Sequence, residues 1–166
     1  MTSQAATHDD DLGGSDHQRE REQPMNTPAD DSTQIRRWAF RMTPHCERTG
    51  DGWRASYPRA DWSVTAPSEE EARQKFAEEV TRRRNAGENL KGFEEAVYLE
   101  HLRTPIPGVY AMDSELYRYL VREVIGFDQN ALQEVFEESE RRRALGQSYT
   151  KADYLASTSH KIDHED

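Results

Sequence analysis

"GDGWRASYPRADWSVTAPSEEEARQKF", residues 50–76, lays out the centre of the fold in one continuous stretch. Gly50-Asp51-Gly52 supplies residues that tolerate positive φ, as a tight hairpin turn requires. Trp53, Ala55 and Tyr57 alternate with Arg54 and Ser56, and Trp62, Val64 and Ala66 alternate with Ser63 and Thr65. That period of two predicts strands with one buried face. Ser68 and Glu71 then form S-x-x-E, a capping box that ties off the first amides of a helix. Ala72, Phe76 and Val80 fall four apart on one side of it, which predicts a cover for the sheet that runs to about Ala86 and stops at Gly87.

Upstream, "IRRWAFRM" (residues 35–42) places Trp38, Phe40 and Met42 in alternation with Arg37, Ala39 and Arg41, predicting a third strand. The polar "TPHCERT" (residues 43–49) reads as the connection between strands. Together these segments predict an α+β module over residues 35–104: a small antiparallel three-stranded sheet packed by a helix.

Downstream the pattern is helical. "ENLKGFEEAVYLEHL" (residues 88–102) carries Leu90, Phe93, Ala96 and Val97 near one face, and Pro105 with Pro107 breaks it to give a linker. Asp113 or Ser114 caps a helix with Leu116, Tyr119, Leu120 and Val124 as its apolar stripe. Asp128 caps another with Leu132, Val135 and Phe136 inward, and Thr150 with Asp153 caps a short last one. The expected organisation is a helical region over 108–157 and a frayed tail over 158–166.

An internal echo links the two parts. "EEVTRRRNAG" (residues 78–87) and "EESERRRALG" (residues 137–146) share E-E-x-x-R-R-R-x-x-G. Glu78 with Arg82, and Glu137 with Arg141, stand four apart, with cations at the negative helix end and glycine beyond. The plain reading is two well-terminated, solvent-facing helices. The sharper one is a pair of phosphate-binding patches, Arg82–Arg84 and Arg141–Arg143, against which the preceding acids count.

Composition limits the function classes. Of 166 residues 34% are hydrophobic and 33% charged, with a net charge of −10, so the core is small. Residues 1–34 hold eight acids against two arginines and read as a disordered tail, in which "HDDD" is a solvated run. Met25 offers an internal start, which leaves the translation of residues 1–24 open. An acidic balance disfavours general nucleic-acid binding and suits a basic protein partner. No run approaches the roughly 20 apolar residues of a membrane span, no signal segment is recognisable, and a lone cysteine fits a reducing cytoplasm. Self-association is left open.

No phosphate loop, G-x-S-x-G, G-x-G-x-x-G or H-E-x-x-H occurs, so neither an enzyme nor a cofactor or metal site is expected. Cys46 next to His45 is not a nucleophile pair, because strand neighbours point to opposite faces. His101, His160 and His164 are scattered. The sheet aromatics Trp53, Tyr57 and Trp62 carry the functional expectation: they bury against the Ala72–Phe76–Val80 face, or they project from the opposite face as partner anchors.

G-W-x-A-x-Y-P, then W-S-V-T-A, then S-E-E-E-A resembles the N-terminal domain of HicB-like antitoxins. Trp53, Tyr57, Pro58, Val64, Thr65, Ser68, Glu70, Glu71 and Ala72 stand at matching places, within residues 35–86. Asp61-Trp62 replaces the family's usual Pro-Gly, and the segment before the helix is one residue short. The resemblance implies an incomplete ribonuclease H-like fold without nuclease carboxylates, covering a basic RNA-cleaving toxin. The C-terminal half lacks a recognisable helix-turn-helix or ribbon-helix-helix, which counts against DNA as a partner. The alternative function is a structural or adaptor protein that recognises its partner through the C-terminal helices.

Overall fold

The computed structural model describes the backbone of residues 28–162 and the side chains of 31–159. Most of the acidic tail, including "HDDD", lies outside the described residues. The fold is α+β. In chain order the elements are α1 (Pro28–Arg37), β1 (Trp38–Met42), β2 (His45–Thr49), β3 (Gly52–Ser56), β4 (Val64–Ala66), α2 (Glu69–Asn85) and α3 (Leu90–Arg103). They continue with β5 (Val109–Asp113), α4 (Ser114–Tyr119) running into a π-helical turn (Leu120–Val124), α5 (Gln129–Ala144) and α6 (Lys151–Ile162). Helix therefore occupies part of both segments expected to be unstructured, residues 28–34 and 158–162.

The three-stranded antiparallel sheet exists in the order β2-β3-β4, but its first strand is His45–Thr49 rather than Trp38–Met42. "HCERT" gives no apolar alternation because it is an edge strand, and of its α2-facing residues Cys46 is small and Arg48 is exposed. The Trp38–Met42 strand pairs antiparallel with β5, with Phe40 opposite Ala111. The expected linker at Pro105–Pro107 leads directly into β5, so the two parts of the chain share a ribbon.

Ser68 caps α2 by accepting from the Glu71 amide at 3.2 Å, and Ala72, Phe76 and Val80 are buried against Ala55 and Val64. The ribbon lies between two groups of helices. Phe40 stacks on Tyr98 of α3 with ring centroids 4.4 Å apart, and Met42 packs with Val97 and Val109. On its other side Met112 and Ala39 pack with Leu116, Leu120, Leu132 and Phe136.

The π-helical turn redirects one expected core residue. Its Ile125 amide reaches back five residues to the Leu120 carbonyl at 2.9 Å. The extra residue moves Ile125 onto the core stripe after Leu116 and Leu120, and Val124 is left 44% exposed.

Candidate functional site: the Tyr57–Trp62 turn and the open sheet face

Strand alternation decides which way the aromatics face. Trp53 shares the side of Ala55 and Cys46, and Tyr57 and Trp62 pack against the same core beneath α2. Phe76 organises the latter pair: Tyr57 meets it edge-on at 4.6 Å and Trp62 stacks on it at 5.1 Å. Projection from the opposite face, one of the two expectations for these residues, is not the arrangement found. All three are half-buried at the rim of the α2 side. Tyr57 and Trp62 lie together, with centroids 6.5 Å apart, whereas Trp53 sits at the other end of β3 opposite Ala66.

The opposite face presents His45, Glu47, Thr49, Arg54, Ser56 and Thr65, and among the described residues no helix packs on it. Arg54 is paired across strands with Glu47. Adjacent His45 and Cys46 point to opposite sides, and partial burial raises the Cys46 thiol pKa above its ordinary value. That pair is not a nucleophile and its base.

Between Tyr57 and Trp62 the chain makes a tight turn, with the Ala60 amide bonded to the Tyr57 carbonyl at 3.1 Å. Pro58 holds its second position. Arg59 takes the third with φ 65°, a place that favours glycine, and among the described residues it is the one non-glycine with positive φ. Its guanidinium reaches Glu100 of α3 through Nε at 3.2 Å and Nη2 at 3.0 Å. Such an exposed pair contributes about 0–1 kcal/mol, no more than the backbone conformation costs. Depressions of about 430 and 440 Å³ flank the turn. One is lined by Pro44, Tyr57, Pro58 and Ile106, the other by Asp61, Trp62, Arg83 and Phe93, and Arg59 borders both. Sequence reasoning missed Arg59, although Pro-Arg after an aromatic strand end was a readable turn signal.

The arginine triplets are neutralised. Glu79 binds Arg82 at 2.7 Å and Arg83 at 2.8 Å, and Glu138 binds Arg141 at 2.6 Å and Arg142 at 2.8 Å. The glutamates engaged are thus one residue later than Glu78 and Glu137. Both helices close with the same pair of bonds, Glu88 to Arg83 with Gly87 to Arg84, and Gln147 to Arg142 with Gly146 to Arg143. The middle arginine stacks on an aromatic each time, Arg83 on Trp62 at 4.3 Å and Arg142 on Tyr149 at 4.1 Å. Neither triplet is a free phosphate cradle.

A buried polar junction holds the ribbon in place. Oε1 of Glu140 accepts from the Ala111 amide at 2.7 Å, from His101 Nε2 at 2.8 Å and from Arg143 at 2.7 Å. His101, 1% exposed, accepts the Ile106 amide at Nδ1 over 2.9 Å, so Nε2 carries the proton given to Glu140. Burial would raise the Glu140 pKa, but the bonds from His101 and Ala111 and the Arg143 charge hold it below the ordinary value. Both nitrogens of the histidine are engaged in structure.

Comparison with known protein families, with curated proteins and with solved structures finds no match to this chain. No helix among the described residues is long and apolar enough to cross a membrane.

Proposed function

We propose that this chain is a non-enzymatic binding protein of HicB-like type, an antitoxin-like cytoplasmic partner that covers a small basic RNA-cleaving toxin. The observation that carries the reading is the Tyr57–Trp62 turn. It concentrates Tyr, Arg and Trp, the residue types that dominate binding energy at protein interfaces, on six residues. The turn is pre-shaped by Pro58 and by a left-handed Arg59 whose backbone cost stability does not require. The net charge of −10 favours a basic partner. The covering surface is the turn with its two depressions, extended by the bare polar face of β2-β3-β4.

The direct test is co-expression with a small basic protein encoded beside this one. Co-purification, weakened at least about tenfold by Tyr57→Ala or Trp62→Ala, is expected. Trp53→Ala should weaken binding less, since Trp53 lies away from the turn. A complex indifferent to both turn substitutions would remove the proposed surface.

A second reading, recognition through the C-terminal helices, is favoured by one observation. Among the described residues the exposed large hydrophobic side chains are Val124, Phe127, Leu145 and Leu155, with Phe127 74% exposed, and these lie in the C-terminal part. Phe127→Ser and Leu155→Ser distinguish the readings. Truncation near Thr104 does not, because it removes β5 and uncovers β1.

A further inference from the structure

We propose that Arg118, Arg122 and Lys151 form a binding site for a phosphate group, separate from the Tyr57–Trp62 surface. The three line one depression of about 400 Å³ between α4 with its π-helical turn and the start of α6. Tyr119 lies under it, with the Lys151 ammonium 4.6 Å from the ring centroid.

Many of the described cations have carboxylate partners: Arg54 has Glu47, Arg59 has Glu100, Arg73 has Glu69, and both arginine triplets are satisfied. Here three cations that lack a carboxylate partner among the described residues line one depression. Arg122 makes no ion pair or hydrogen bond among the described residues, and Arg118 donates only to the Ser114 carbonyl at 3.1 Å. Among the described residues Lys151 contacts only the Tyr119 ring. Glu115 and Glu123 also line the depression, but neither comes within ion-pair distance of the three.

Two backbone features add to the side chains. Arg122 stands in the π-helical turn, a geometry that occurs in short pieces and frequently at functional sites. Lys151 is the first residue of the 12-residue α6, at the positive end of its dipole. Two forked guanidiniums and an ammonium suit an anion with several equivalent oxygens, which describes phosphate better than a single carboxylate. The two uncommitted carboxylates oppose a bare anion and suit a ligand whose phosphate is joined to a hydroxyl-bearing body, as in a sugar phosphate or nucleotide.

Titration of the full chain with inorganic phosphate and, separately, with adenosine monophosphate, followed by amide chemical shifts at low ionic strength, tests the site. Saturable shifts in α4 and at Lys151, with millimolar or tighter affinity, are expected. Arg122→Glu and Lys151→Glu should each weaken binding at least about tenfold, the scale of one lost charge-assisted bond. Lys91→Glu, on exposed α3 surface, should leave it unchanged. Glu123→Gln should tighten it. Equal affinity for the two ligands assigns the site to the phosphate group alone, and tighter adenosine monophosphate extends it to an ester. No saturable shift up to about 20 mM ligand, a concentration that corresponds to negligible affinity, overturns the proposal, as does binding that survives Arg122→Glu.

Discussion

In the β1–β5 ribbon both faces are covered, by α3 on one side and by α4 and α5 on the other, and the outer edge of β5 is closed by side chains. Ser139 donates to the Ala111 carbonyl at 2.8 Å while Glu140 accepts the Ala111 amide. In the β2-β3-β4 sheet one face is bare, and β2 ends the sheet with no strand beside it among the described residues. The ribbon joins segments about 70 residues apart and depends on buried polar contacts; the sheet is local in sequence and depends on one helix. Cover on both faces fixes structure, whereas a face left polar and open is free to meet another molecule.

The contrast is broken most strongly at Glu140. Glu140→Ala strands Arg143, His101 and the Ala111 amide around an 18% exposed position, and should cost about 3 kcal/mol in urea unfolding. A loss below about 1 kcal/mol would mean that water replaces the carboxylate and that the ribbon edge is not closed as described. Next is the seam between the two regions. Gly108 has φ 85°, and a Cβ there would lie 3.3 Å from Pro58 Cγ and from the Thr43 carbonyl. Gly108→Ala is expected to destabilise by about 1–2 kcal/mol, and calorimetry showing no change would loosen the seam.

A smaller effect follows acidity. The arginine pairs hold Glu79 and Glu138 at about 2, through the bonds from Arg82 and Arg83 and from Arg141 and Arg142. A lowered folded-state pKa gives stability that is complete above the ordinary carboxylate range and is lost as pH falls toward about 2. Denaturant midpoints should therefore drop across that acid window, and Glu79→Gln with Glu138→Gln should flatten the drop. Arg59→Gly should shift stability by no more than about 0.5 kcal/mol, since relief of the left-handed backbone offsets the lost Glu100 pair. The smallest change is expected on the bare face, where Thr65→Ala should stay within about 0.5 kcal/mol. A larger loss there would imply a cover that the structure lacks.

Local chemistry was legible wherever neighbours in sequence are neighbours in space. The Ser68 cap, the buried Ala72–Phe76–Val80 face, the Asp113, Asp128 and Thr150 caps and the glycine-terminated helix ends all depend on groups within a few residues of each other. The candidate site was half legible: Tyr57 and Trp62 stood out as aromatics, but Arg59 is notable only for a dihedral angle that no composition reveals.

The sequence by itself determined that residues 38–42 are a strand and that residues 137–146 close a helix, because periodicity and capping are local. Only the tertiary structure decided that this strand belongs with Val109–Asp113, that His45–Thr49 completes the three-stranded sheet, and which glutamate each arginine takes. The physical reason is the same in each case. A strand's period states that one face is buried without naming what buries it, and a run of acids before a run of bases offers several pairings that geometry alone selects.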